Sequence, residues 1–175
     1  PGMESSVQLM ALDRAGIAVR TRSDYVTIEN NVIYSRGGAG VTLKGLKCGV
    51  IRNNVVLDNR QKGIEIREGH QMLIANNLVI GNRSPGVYLA DQAPGETTLI
   101  RDNLFIGNGA GLGGASGQNF ALVSNNFVKQ FPRFVQGDLA NQTDIIVQDL
   151  RGESPLVLSA GGPLNVPVPD VACNE

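Results

Sequence analysis

The sequence predicts an all-β fold, a parallel β-solenoid, and three observations support this prediction. Pairs of asparagines recur at a nearly constant spacing, a glycine opens each recurring unit, and apolar residues alternate with polar ones after that glycine. A repeat of this length is typical of stacked, solenoid-like architectures. Because alternation with a period of two indicates a strand with one buried face, the units are predicted to consist of strands.

The asparagine pairs define the repeat. Their second members are Asn31, Asn54, Asn77, Asn103 and Asn126, which step by 23, 23, 26 and 23 residues. An apolar residue lies three positions before each of them: Ile28, Ile51, Ile74, Ile100 and Val123. The opening glycines are Gly16, Gly40, Gly63 and Gly86, and single asparagines follow three of the pairs at Asn59, Asn82 and Asn108. Five aligned copies establish the repeat.

Each unit contains three short β-like segments. The first follows the glycine, as in 64-IEIR-67, the second ends at the asparagine pair, and the third follows it, as in 78-LVI-80. These segments are rich in β-branched and apolar residues, and no unit has room for a useful helix. Three strands per unit make one coil, and neighbouring coils of such a stack lie about 4.8 Å apart.

The paired asparagines are predicted to serve both the turn and the stack. Asparagine tolerates a left-handed backbone, and stacked buried amides can hydrogen-bond from coil to coil. An unpaired buried amide costs about 1–3 kcal/mol, so such a ladder has to be continuous. Asp102 replaces the first member of one pair whereas Asn103 keeps the second, which predicts that the second position points inward.

The pattern Gly-Ile-x-Ile … Ile-x-Asn-Asn-x-Ile … Asn resembles the repeats of the pectin-lyase-like proteins over about residues 7–131. The resemblance implies a right-handed parallel β-helix of about five coils, with three short strands per coil. A leucine-rich repeat, whose period also covers 23 residues, is the structural alternative. It requires leucines at fixed positions and a helical segment on the far side, whereas both halves of each unit here are β-like.

Two parts of the chain are predicted. Residues 1–131 form the parallel β-helix, with 1–6 as an N-terminal cap or a cloning remnant, and 132–175 form an irregular C-terminal capping tail. The tail also resembles the closing segment of many such proteins. Cys48 and Cys173 either form one disulfide that holds the tail to the body or remain two unpaired thiols.

Composition narrows the classes of function. Apolar residues make up 42% and charged residues 18%, which is typical of a soluble globular protein, and the net charge of −1 argues against nucleic-acid binding. No apolar run is long enough to span a membrane, and no signal peptide opens the chain. A processed secreted protein has the same appearance, and a secreted or periplasmic location is expected. No phosphate loop or zinc-ligand spacing is present, so neither a cofactor nor a metal is predicted.

Alternation along the first strand places outward side chains in columns, one coil apart. One column holds Ala18, Thr42, Glu65 and Tyr88, and the next holds Arg20, Lys44, Arg67 and Ala90. Gly45, Glu68 and Asp91 end the strands, with Lys47 and His70 in the turn beyond. Three stacked cations repel one another, so neighbouring carboxylates, solvent or an anionic ligand must offset their charge.

An acidic polysaccharide would supply such a ligand, because a polyuronide carries an anion at intervals along an extended chain. The predicted substrate-binding residues are Arg20, Thr42, Lys47, Glu65, Tyr88 and Asp91, in which Tyr88 offers a flat face to a pyranose ring. The alternative to a binding site is an ordinary solvent-exposed strand face, on which the cations only make the protein more soluble.

Catalysis is implied by the resemblance alone. In lyases resembling chondroitinase B and some alginate lyases, a lysine and an arginine on successive coils carry out β-elimination. The resemblance therefore implies Lys44 as base and Arg67 as acid, and His70 is a further acid–base candidate. The acidic calcium ligands of those lyases have no counterpart in 37-GGAGVTL-43.

The alternative function is that of a non-catalytic scaffold or adhesin-type module. Such a module would form homo-oligomers through the open N-terminal end of its solenoid, where strand edges lack partners. The missing metal ligands and the short chain favour this alternative, whereas the basic column beside Tyr88 favours polysaccharide recognition.

Overall fold

A computed structural model describes residues 15–35, 37–92, 98–115, 120–128 and 133–137. Within these ranges the chain forms sixteen β-strands and no helix, and hence no helix that could cross a membrane. The predicted N-terminal cap and almost all of the predicted C-terminal tail lie outside the described residues. Cys48 is buried and disulfide-bonded, and the second cysteine, Cys173, also lies outside them.

The strands follow one another in triplets, with one triplet per coil. In chain order they are β1 (Ile17–Asp24), β2 (Thr27–Glu29), β3 (Val32–Tyr34), β4 (Val41–Lys47), β5 (Val50–Arg52), β6 (Val55–Leu57), β7 (Ile64–Arg67), β8 (Leu73–Ala75), β9 (Leu78–Ile80), β10 (Pro85–Ala90), β11 (Thr98–Arg101), β12 (Leu104–Ile106), β13 (Ala110–Gly114), β14 (Phe120–Val123), β15 (Asn126–Val128) and β16 (Arg133–Gly137).

Each strand from β1 to β13 pairs in parallel with the strand three places later, which produces three sheets along the stack. The first-strand sheet has the order β1-β4-β7-β10-β13-β16, the second-strand sheet contains β2-β5-β8-β11-β14, and the third-strand sheet contains β3-β6-β9-β12-β15. This topology confirms the predicted parallel β-helix. The described strands make five coils, and β16 adds one strand beyond residue 131, where the predicted repeats ended.

The core fills the space between the three sheets, and in each sheet the inward apolar side chains of successive strands lie one above another. The inward side chains are almost fully buried: Val41, Leu43, Ile51, Val56, Ile64, Ile66, Ile74, Val79, Val87, Leu89, Ile100 and Phe105. The glycine column is needed at a corner, because a Cβ on Gly63 would lie only 2.6 Å from the Gly86 carbonyl oxygen. Glycine therefore allows successive coils to approach closely there.

A ladder of buried amides joins the coils, as predicted. Side-chain Nδ2 atoms donate to the Oδ1 of the next coil at 3.2 Å, 3.0 Å, 2.9 Å and 2.9 Å along Asn31, Asn54, Asn77, Asn103 and Asn125. The same amides donate to backbone carbonyls; Asn77, for example, reaches the oxygen of Ile51 at 2.9 Å. A second ladder runs through the single asparagines Asn59, Asn82 and Asn108, with steps of 2.7 Å and 2.8 Å.

The residue before each ladder amide makes the turn. These residues have φ between 53° and 59°, in the left-handed region: Asn30, Asn53, Asn76, Asp102 and Ser124. Asparagine and aspartate accept this conformation more readily than most residues, which explains why Asp102 can replace the first member of a pair. The two members of a pair therefore have separate roles, one in the backbone turn and one in the buried stack.

The predicted alignment of the last coil was wrong by one residue. Asn125, rather than Asn126, occupies the ladder, because Ser124 takes the left-handed position and the step from Asn103 is 22 residues. Asn126 instead begins β15, where it pairs with Leu104. In the same way Ile100 pairs with Leu122 and not with Val123.

We expect the ladder to dominate stability. Asn77→Ala removes the acceptor for the Asn54 amides and the donor to the Ile51 carbonyl, and leaving these buried groups unpaired should lower the free energy of unfolding by about 3 kcal/mol. The control Asn31→Ala, at the exposed end of the ladder, should cost about 1 kcal/mol or less. Urea denaturation measures both, and equal losses would contradict the ladder's role.

Candidate functional site

Strand pairing brings the predicted columns together on the outer side of the first-strand sheet. Thr42 pairs with Glu65 and Glu65 with Tyr88, while Lys44 pairs with Arg67 on the adjacent strand. Ala18 and Arg20 precede these columns on β1, and Ala90 follows Arg67 on β10. We call the outward side chains of Thr42, Lys44, Lys62, Glu65, Arg67, Glu68, Tyr88 and Asp91 the first-strand face.

Glu65 lies at the centre of the first-strand face, and its degree of burial differs from the prediction. The residue is only 8% exposed, although alternation predicted an open outward position. Its Oε1 accepts hydrogen bonds from Lys62 Nζ at 3.1 Å and from Arg67 Nε at 2.9 Å. The carboxylate is thus directed outward but covered by two cationic side chains, which compensate for the loss of solvent around a buried charge.

Lys62 is a member of the site that the sequence analysis missed. It belongs to the turn before β7 and contacts both Glu65 and the ring of Tyr88, with Nζ 4.8 Å from the ring centroid. The guanidinium carbon of Arg67 lies 5.8 Å from the same centroid. Both distances fit cation–π interactions, so the tyrosine ring is held by two cations and is partly exposed.

Arg67 has carboxylates on two sides. Besides Glu65, it contacts Asp91, with Nη1 3.6 Å from Oδ2. The hydrogen bond to Glu65 is the main reason that the pKa of Arg67 is raised; nearby negative charges add to the effect, and burial opposes it. Lys44, on the neighbouring strand, contacts Glu68 at 3.2 Å, and both of these side chains are about half exposed. The two predicted catalytic cations are therefore neighbours, and each is engaged by a carboxylate.

The remaining predicted residues lie toward the edges of the first-strand face. Lys47 and His70 form a parallel bridge three positions beyond Lys44 and Arg67, with Lys47 exposed and His70 partly buried. Arg20 is exposed beside Lys44 on the preceding coil. No three His, Cys, Asp or Glu side chains converge on a metal-binding geometry in the described part of the chain. The binding and catalytic roles of all these residues stay predictions.

The two acids on the first-strand face should differ in their effect on stability. Glu65→Ala leaves Lys62 and Arg67 without their shared buried acceptor, so we expect the free energy of unfolding to fall by about 2 kcal/mol. Glu68→Ala removes only an exposed partner of Lys44 and should change it by less than about 0.5 kcal/mol. Chemical denaturation compares them, and similar losses would show that Glu65 is not a structural centre.

Comparison with known proteins agrees with the topology. The family described as "right handed beta helix region" matches residues 5–146, most of the 175-residue chain. No curated protein and no solved structure matches the chain. The three parallel sheets, the stacked coils and the internal amide ladders agree with this match. The chain therefore belongs to the right-handed β-helix family.

Proposed function

We propose that the first-strand face binds an acidic polysaccharide, such as a polyuronide, without cleaving it. The observation that carries this proposal is the placement of Lys44 and Arg67 on adjacent parallel strands, beside the partly exposed ring of Tyr88. Cations one coil apart can meet successive anions of an extended ligand that runs along the stack. The aromatic ring adds a flat contact for a sugar.

Lys44 is the cation best able to exchange its partner. Its ion pair with Glu68 is about half exposed on both sides, and exposed pairs of this kind contribute about 0–1 kcal/mol. A ligand carboxylate can therefore replace Glu68 at little cost. Arg67 is different, because Glu65 holds it from a buried position, and it would offer its outer edge, near Asp91, in a fixed orientation.

The charges of the first-strand face also suit a carbohydrate rather than a simple polyanion. Glu68 and Asp91 are exposed carboxylates among the cations, and Thr42 adds a partly buried hydroxyl. A purely anionic ligand would meet these carboxylates unfavourably, whereas sugar hydroxyls can donate hydrogen bonds to them. A ligand with both carboxylates and hydroxyls matches such a surface, and the rigid sheet presents it with little loss of entropy.

The geometry favours recognition over β-elimination. Elimination needs a base at the sugar carbon, an acid at the leaving oxygen and a means to neutralise the carboxylate. The raised pKa of Arg67 works against proton donation, and the side chain of Lys44, the implied base, is engaged by Glu68 at 3.2 Å. The segment 37-GGAGVTL-43 holds no carboxylate that could bind a charge-neutralising metal.

A secreted or periplasmic location is part of this proposal. The disulfide at Cys48 supports it, because disulfides persist chiefly in oxidising compartments. Extracellular polysaccharides would then be accessible to the protein.

Affinity electrophoresis tests binding. In gels that contain polygalacturonate, alginate or chondroitin sulfate, we expect the native protein to be retarded by at least one of them and Lys44→Ala to bind about tenfold more weakly, because a charge-assisted contact is lost. The matched control is Arg52→Ala, which removes the same charge from the second-strand sheet, where Arg52 contacts Glu29. Unchanged migration in every gel, or equal weakening by the control, would contradict the proposal.

The absence of cleavage is tested separately. Prolonged incubation with the same three polymers should give no increase in the ultraviolet absorbance of unsaturated uronates. If such absorbance appeared with the native protein and vanished with Lys44→Ala, the protein would be a lyase, and the non-catalytic part of the proposal would be wrong.

A second candidate function is self-association through the first coil. Among the described residues, β2 and β3 lie at the outer edge of their sheets, and Tyr25, Val32 and Tyr34 in this coil are large exposed apolar side chains. Val32 is 77% exposed. An exposed strand edge with apolar side chains is a typical site for pairing with a second chain.

Light scattering tests this association. We expect a molar mass above that of one chain for the native protein and a monomeric mass for Val32→Lys, since a charge at the edge opposes strand pairing. Val128→Lys, at the other end of the described coils, is the control and should leave the mass unchanged. A monomeric native protein would exclude this function.

A further inference from the structure

A second candidate site lies in a cleft at the corner where the third-strand sheet turns toward the first-strand sheet. The cleft has a volume of about 400 Å³ and is lined by Tyr34, Asp58, Arg60, Gly81 and Arg83. None of these residues belongs to the first-strand face. We call this group the corner cleft.

The second amide ladder fixes the backbone on which the corner cleft is built. Asn59 and Asn82 are buried and hydrogen-bonded to each other, and each directly precedes one of the two arginines. The backbone nitrogen of Arg83 donates to the carbonyl of Asn59 at 3.0 Å, so the two arginines lie on successive coils, whose backbones are about 4.8 Å apart. Their positions are therefore set by the core and not by a flexible loop.

The charge of the corner cleft is not balanced in the way that the first-strand face is. Arg60 and Arg83 are both exposed, and within the described part of the chain neither guanidinium forms an ion pair, not even with Asp58 in the same cleft. By contrast, Arg52 and Arg101 each contact a carboxylate at 2.6 Å. Two unpaired guanidinium groups one coil apart repel each other, and a bound anion would remove that repulsion.

The chemistry of the lining indicates what carries the anion. Guanidinium groups bind carboxylate or sulfate oxygens through paired hydrogen bonds. Asp58 would repel a bare anion but can accept hydrogen bonds from sugar hydroxyls. Tyr34 offers a ring that is about half exposed. Gly81 has a φ of 63° and carries no side chain, which leaves room beside the Asp58 carboxylate, because a Cβ at this position would lie 2.5 Å from Asp58 Oδ1.

We infer that the corner cleft binds an anionic saccharide, with Arg60 and Arg83 holding a carboxylate or sulfate group, Asp58 accepting hydroxyl hydrogens and Tyr34 contacting the ring. This inference does not rest on the function proposed for the first-strand face, because the two sites share no residue. The inference predicts a site for a single charged sugar unit, located at the corner next to the first-strand face.

Nuclear magnetic resonance on the intact ¹⁵N-labelled protein tests the inference at the site itself. We expect digalacturonate or galactose 6-sulfate to shift the amide signal of Gly81 and the Nε–H signals of Arg60 and Arg83. Which of the two binds more tightly identifies the anionic group. Neutral galactobiose and inorganic sulfate should bind at least about tenfold more weakly, because each lacks one half of the recognised chemistry.

Variants separate this site from the other surfaces. Arg60→Gln with Arg83→Gln should weaken binding about tenfold or more, whereas the matched control Arg52→Gln should not change it. Lys44→Ala changes only the first-strand face and should leave the shifts of the Gly81, Arg60 and Arg83 signals unchanged. A failure of the proposed function and a failure of this inference can therefore be told apart.

Three results would overturn the inference. The first is the absence of any shift at Gly81, Arg60 and Arg83 with both anionic sugars. The second is equal binding of galactobiose, which would remove the role of the arginines, or of inorganic sulfate, which would remove the role of the sugar. The third is weakening by Arg52→Gln that equals the effect of the double variant.

Discussion

The register of the stack depends on the buried asparagine amides. Each ladder amide is satisfied only when the next coil places its own amide directly beside it, as Asn54 and Asn77 do at 3.0 Å. A slip by one residue would move an amide out of the core and leave its former partners unpaired, at about 1–3 kcal/mol for each group. Apolar columns alone would tolerate such slips more easily, since dispersion and burial have little directionality. The amides therefore select one register.

That single register determines the outer surface of the molecule. Since residues one coil apart become neighbours, Lys44 lies beside Arg67 on one sheet, and Arg83 lies one coil from Arg60 at a corner. Both candidate sites thus depend on interactions inside the stack that no ligand touches. Outward residues can vary without disturbing these amides, which separates the requirements of folding from those of binding.

The sequence predicted where residues lie in the stack more accurately than how deeply their side chains are buried or which ion pairs they form. Period and alternation gave the sheets, the inward ladder and the pairing of Lys44 with Arg67, because these follow from counting residues. They did not give the burial of Glu65, which depends on how far the flexible Lys62 side chain reaches from a turn. The last coil was misaligned because Asn125 and Asn126 are chemically identical, and only strand pairing shows which of them enters the ladder. Spacing could have shown that Arg60 and Arg83 lie on successive coils, but not that neither of them forms an ion pair with a carboxylate among the residues that the structure describes.

The charge balance of the two sites implies two different ways of binding. In the proposed polysaccharide complex, a ligand anion would displace a carboxylate already present on the first-strand face, as Glu68 on Lys44, so each exchange would contribute only a modest free energy. Useful affinity then requires several exchanges along the stack, and a polymer that spans successive coils provides them at a high effective concentration. In the corner cleft the described residues provide no ion-pair partner of Arg60 or Arg83 that a ligand would have to displace, so in the inferred complex a single anionic group would gain both contacts at once. The proposed site on the first-strand face would therefore favour long chains, whereas the inferred site in the corner cleft would favour one charged unit.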